Sequence, residues 1–238
     1  MLLHDSTHPQ ILMEAGFKIV PGKEAEFVVV QNRMVPLVMG QPGFVAMYGG
    51  EIAGSSWLYF SVRFATPQTM SAWHEHRGHK AMQRGAYVKW WTAMYIRKWQ
   101  RPRGDALDGD RLLCETLIAR DAPLGEADKA TLKAAAADLQ QFKVKPFETL
   151  SGQQEPQPYQ FVGPLDIAPM SADKLYVLIT HWRSADDLMA WQQSDSYKKL
   201  NELGRVSSEA FVPYAEPEHR DFLRDDKLQR DWTLRKTT

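Results

Sequence analysis

The stretch AWHEHRGHKAMQ, residues 72–83, sets three histidines, His74, His76 and His79, just after a tryptophan, Trp73. Imidazole titrates near neutral pH, so such a cluster could bind a metal, move a proton or hold a ligand. A helical zinc motif reads H-E-x-x-H; HEHRGH departs from it, because Gly78 stands where the second histidine belongs. On an unbroken helix His76 and His79 are three residues apart and share a face. Two imidazoles would still need ligands from elsewhere, so no metal is expected. His79 faces broadly the same way as Gln83 one turn on, and could serve chemistry or simply pack at the edge of the second helix. His76 is the neighbouring candidate for substrate binding, Trp73 would wall an apolar pocket, and His74 reads as solvent-facing. The alternative for Trp73 is plain filling between helix and sheet. Two further candidates for substrate binding end strands. Arg63 could hold an anionic group or pair with a glutamate, and His181 could act as a base or make a structural hydrogen bond.

The elements that must carry these residues occur twice. WLYFSVRFATPQTMSAW, Trp57–Trp73, aligns without a gap with LYVLITHWRSADDLMAW, Leu175–Trp191, at a constant offset of 118 residues. Each copy opens with an aromatic and β-branched run that reads as a strand. Each then offers a helix N-cap, Thr66 followed by Pro67, and Ser184 with Asp187 as a near capping box. Arg63 and His181 are equivalent under this offset, as are Trp73 with Trp191 and His79 with Tyr197. Strand alternation puts Trp57, Tyr59, Ser61 and Arg63 on one face and Leu58, Phe60, Val62 and Phe64 on the other.

The rest of each half fits one plan. ILMEAGFKIV reads as a strand and PGKEAEFVVVQNRMVPLVMG as a helix that Pro36 ends or kinks. QPGFVAMYGGEI turns into a second strand, Trp57–Ala65 is the third, and Tyr87–Gln100 holds the fourth. RLLCETLIAR, EADKATLKAAAADLQQF, KPFETLSG and EAFVPYA supply the matching strand, helix and strands after it. The proline-rich stretch QQEPQPYQFVGPLDIAPM reads as a long loop or lid. The expectation is an α+β chain of two ferredoxin-like β-α-β-β-α-β units, residues 1–103 and 112–216, joined by a polar linker, 104–111, and followed by a charged tail, 217–238. Each unit leaves one sheet face bare, and two bare faces can cover one another as an intrachain version of a dimeric α/β barrel.

Composition excludes several classes. The 29 basic and 29 acidic residues balance, so nothing supports binding to nucleic acid. No apolar run reaches the roughly 20 residues of a membrane span, and the polar N-terminus lacks a signal-peptide layout. One cysteine, Cys114, rules out an internal disulfide or a cysteine-based zinc site. A cytoplasmic setting is expected, and the chain could pair with a second copy of itself.

The layout resembles the antibiotic biosynthesis monooxygenase superfamily, dimeric α/β barrels that include haem-degrading and quinone-forming oxygenases. The residues that carry the likeness are PGKEAEF before the first helix, the PGF turn at Pro42–Phe44, the second-helix tryptophans and WQQSDSYKKLN, Trp191–Asn201. The resemblance implies a monooxygenase acting on a small aromatic or quinol-like molecule, with Trp73 and His79 as catalytic candidates and Trp191 and Tyr197 as their counterparts at a second substrate-binding site. Haem degraders of this group also carry a histidine ligand ten residues past the tryptophan and an asparagine on strand one. Here those positions hold Gln83 or Asn201, and Ala15. No cofactor is therefore expected; haem with an unusual ligand, or a non-catalytic binding barrel, are the alternatives.

Overall fold

The structure is a computed structural model that describes residues 10–52, 55–102, 107, 111–142, 148–150, 153–154, 159–162, 175–214 and 220–223. Most of the linker and most of the charged tail fall outside these residues. In the first half the order is β1 (Ile11–Ile19), α1 (Glu24–Met39), β2 (Phe44–Glu51), β3 (Trp57–Phe64), α2 (Pro67–Glu75), α3 (Arg77–Lys89) and β4 (Trp91–Gln100). The second half runs β5 (Leu112–Ala119), α4 (Glu126–Asp138) with a 3-10 turn at Leu139–Phe142, β6 (Glu148–Leu150), β7 (Gln153–Gln154), β8 (Tyr159–Val162), β9 (Leu175–Trp182), α5 (Ala185–Gln193), α6 (Asp195–Leu203) and β10 (Arg205–Pro213). A last strand, β11 (Arg220–Leu223), comes from the charged tail and pairs with β4.

The fold is α+β with an antiparallel sheet in the strand order β2-β3-β1-β4-β10-β5-β9-β8. Each half contributes four strands in the ferredoxin-like arrangement, β4-β1-β3-β2 and β10-β5-β9-β8. Between the halves β4 and β10 meet only at their ends, Gln100 opposite Val212 and Trp99 opposite Pro213. The outermost strands, β2 and β8, approach within 8 Å between Cα atoms. Among the described residues no helix is long and apolar enough to cross a membrane.

Several expectations need correction. The strand that flanks β9 is β8, which lies inside the stretch read as a loop. KPFETLSG instead supplies β6, which pairs with β7 in a separate hairpin. Prolines around YQFV hid a four-residue strand from a composition reading. Pro36 does not end α1. It sits in the last turn, and the helix runs on to Met39, where Gly40 N–H donates to the Pro36 carbonyl. The fourth strand, by contrast, lies within Tyr87–Gln100 as read, and starts at Trp91 because α3 continues to Lys89.

The second helix of each half is in fact two helices. α2 and α3 meet at His76 (φ −58°, ψ 126°), and α5 and α6 meet at Ser194 (φ −67°, ψ 157°), again 118 residues apart. His76 is thus extended, and its expected helical spacing to His79 does not hold. The caps are where the sequence put them. Thr66 and Thr69 form a reciprocal capping box with Pro67 at the first helical position, and Ser184 Oγ accepts from the Asp187 backbone N–H at 3.1 Å.

Candidate functional site

Side-chain alternation divides the chemistry between two regions on opposite sides of the first-half strands. The first lies between the two halves. Leu12, Trp57, Tyr59, Tyr95 and Trp99 share one apolar cluster with Leu113, Val177, Ile179 and Phe211 of the second half. Charged groups are buried within it. Arg63 donates to Glu115 at 2.5 Å and pairs with Glu209, while Tyr59 donates to Glu115 at 2.9 Å. Conversely, His181 of the second half stands 3.6 Å from Glu14 of the first, and the Trp99 indole donates to Glu14 at 2.7 Å.

These two sets are related. Leu12 faces Arg63 across β1 and β3, and Leu113 faces His181 across β5 and β9, so Glu14 and Glu115 hold equivalent places. Arg63 lies over the Phe211 ring at 4.7 Å, and His181 stacks on Trp99 at 5.6 Å. Each half therefore sends a cation-forming side chain onto the glutamate and aromatic ring of the other. Burial alone would raise the Glu14 carboxyl, but His181, the Trp99 hydrogen bond and Arg97 outweigh it and hold it below the usual range. Burial and the Glu115 carboxylate push the Tyr59 phenol well above its ordinary value.

The second region lies between α2, α3 and the sheet, and here the structure brings together Trp73, His76 and His79. The His79 ring stacks on Trp73 at 4.4 Å (22° between planes), and the His76 ring stacks on Trp73 at 5.6 Å. Gln83 Nε2 lies 3.4 Å from His79 Nε2, so the helical relation of those two residues is as read. His74 is not simply solvent-facing: it is half-buried, its ring stacks 5.7 Å from His79, and its Nε2 meets Met13 Sδ at 3.2 Å. Sequence reasoning missed the floor of this region. Met13, Met47 and Met82 are partly buried against it, and Tyr214, from just past β10, joins them. Alternation on β1 and β2 could have found Met13 and Met47, since both share the helix-facing side with Val62, their common register partner.

Trp191 and Tyr197 occupy the matching place in the second half with different contacts. Trp191 is buried and meets Phe142 and Tyr197 edge-on at 5.5 and 5.9 Å. Tyr197 Oη bonds Ser208 Oγ at 2.8 Å, and Ser208 bonds Thr116 Oγ1 at 2.7 Å. Burial raises the Tyr197 phenol, an effect the Ser208 hydrogen bond partly offsets. By register Thr116 with Ser208 replaces the apolar pair Ala15 and Ile96 of the first half. Cys114 lies beneath, its thiol pushed by burial up to about 11, too high for a nucleophile at neutral pH.

Arg63 and His181 thus face the space between the halves, while Trp73, His76 and His79 face the helices. The haem-ligand position of the resemblance holds Gln83, which contacts His79, and Asn201, which is exposed. His79 is packed between the rings of Trp73 and His74. These residues do not fit an axial haem ligand.

The model of the antibiotic biosynthesis monooxygenase family matches residues 166–203, the stretch that holds β9, α5 and α6. Aldoxime dehydratase has a similar fold, with 11% identity, 91% of this chain and 85% of that chain covered, and a TM-score of 0.56. An anthrone oxidase-like protein (12% identity, 92% and 94% covered, TM-score 0.35) and a monooxygenase-like protein from Listeria innocua (8%, 85% and 95%, 0.32) superpose more loosely. No curated protein matches the chain.

Proposed function

Starting from a chain whose fold and second-half family match are consistent with the antibiotic biosynthesis monooxygenase superfamily, we propose that it is a monooxygenase-type enzyme working on a small aromatic or quinol-like molecule, in the first half only. On this reading the two halves are matching half-barrels that shield one another's sheets. The observation that carries the choice of site is the face-to-face stack of His79 on Trp73 above a half-exposed methionine floor. A flat aromatic ring suits a stacked wall, and flexible thioethers adapt to its outline.

The chemistry needs no cofactor. His79 takes the acidic proton of a phenol or enol. The anion passes one electron to dioxygen, and the two radicals join at carbon. The peroxide takes that proton back from His79 and loses water to leave a carbonyl, so the CH2 group of the substrate's keto form and O2 become C=O and H2O. Gln83 fixes the His79 ring through its contact at Nε2. Arg63, engaged by Glu115 and Glu209, helps to hold the halves together; His181 does so through Glu14.

Oxygen uptake with a panel of hydroquinones and other dihydroxy-aromatics tests this. Uptake that falls with His79→Ala supports it. Ligand binding with no oxygen consumed would instead select a non-catalytic barrel. A Soret band on adding hemin that is lost in His79→Ala would select haem binding.

A further inference from the structure

His74, in the last turn of α2, is half-buried, yet its ring turns inward and Nε2 meets Met13 Sδ at 3.2 Å. A thioether is a weak hydrogen-bond acceptor, and water would serve a partly exposed imidazole better. This contact has no part in the role given to His79. Two more thioethers pack against the same apolar clusters as Met13. Met47 flanks Val62 on the opposite side from Met13, and Met82 packs on the same clusters from α3. All three methionines are partly exposed, so the place can be reached from solvent.

Among the described residues no group of three or more His, Cys, Asp or Glu side chains is placed to hold a metal ion. A hard or borderline ion therefore lacks a donor set here. The donors that do converge are an imidazole and a thioether, the combination that selects a soft monovalent ion such as Cu(I). We propose that Met13 Sδ and His74 Nε2 are the primary donors of a Cu(I)-type site, with the Met82 or Met47 thioether as the third. The ion binds and leaves as Cu(I), displacing any proton on His74 Nε2; no electron transfer is involved. The site lies beside His79 and stands whether or not the oxygenase reading does.

Ag(I), a redox-inert stand-in, tests this on the full chain labelled with 13C at the methionine methyls. One equivalent should move the Met13 methyl resonance together with that of Met82 or Met47, and leave the exposed Met39 and Met189 in place. Met13→Leu and His74→Gln should each weaken Ag(I) and Cu(I) binding about 10-fold or more against a competing chelator, since even outer-shell partners of a metal cost that much. A still Met13 resonance, equal movement at Met39 and Met189, or Met13→Leu binding as tightly as the parent would overturn the proposal. If Met13→Leu fails to fold, the parent titration decides alone.

Discussion

Under α2 and α3 an imidazole lies flat on Trp73 and three methionines stay partly exposed; under α5 and α6 a phenol meets Trp191 edge-on and its hydroxyl is tied through Ser208 to Thr116. The helices break at the same place in both halves, His76 and Ser194, although α3 runs for 13 residues and α6 for nine. What differs is side-chain chemistry at equivalent positions: His79 against Tyr197, Ala15 against Thr116, Ile96 against Ser208. The second half satisfies its polar groups internally, as a buried network must. The first keeps soft, adaptable groups at a partly open face. The family match, residues 166–203, falls on the half that holds this hydroxyl network.

The largest expected effect bears directly on that contrast. His79→Ala should lower oxygen uptake by about 10²–10⁴-fold, the usual worth of a positioned base, while Tyr197→Phe leaves the rate within a few-fold. Equal losses would erase the distinction between the halves.

Next comes stability at the contact between the halves. Arg63→Met leaves Glu115 buried without its cation and should cost about 3–5 kcal/mol; adding Glu115→Leu should recover much of that. Urea unfolding of the two variants checks it, and an unaffected Arg63→Met would mean that the cross-half pair holds nothing together.

A smaller effect concerns the closed half. Ser208→Ala should cost about 0.5–1.5 kcal/mol by breaking the hydroxyl chain, and should not change oxygen uptake. The pH dependence is subtler still. The Glu14 carboxyl is held below its ordinary value near 4.5, so its stabilising contribution is full above that value and fades as pH falls through the lower folded one. The stability gap between the parent and Glu14→Gln should accordingly narrow in acid. A gap that widened there would contradict the Glu14–His181 and Glu14–Trp99 contacts.

Much of this frame was readable from local pattern. The 118-residue offset located the caps at Thr66 and Ser184, and alternation assigned the two faces of β3, because both signals live within a few residues. The helix breaks were not readable: His76 and Ser194 are polar residues inside stretches that otherwise keep helical spacing. β8 was missed because its four residues sit among prolines and gain their pairing only from β9. The exchange of Arg63 and His181 between halves depends on contacts far apart in sequence, which no local rule supplies. Arg63 was legible as a charged residue on the bare face; its partners, Glu115 and Glu209, were not.

If the first half works and the second is filled, a planar ligand should reach Trp73 and not Trp191. Fluorotryptophan NMR of the full chain, with Trp73 and Trp191 assigned by substitution to Phe, tests it under anaerobic conditions with a planar hydroquinone that binds. The account predicts that the Trp73 resonance moves on binding while Trp191 stays. Movement at Trp191 alone, or at both alike, would contradict it.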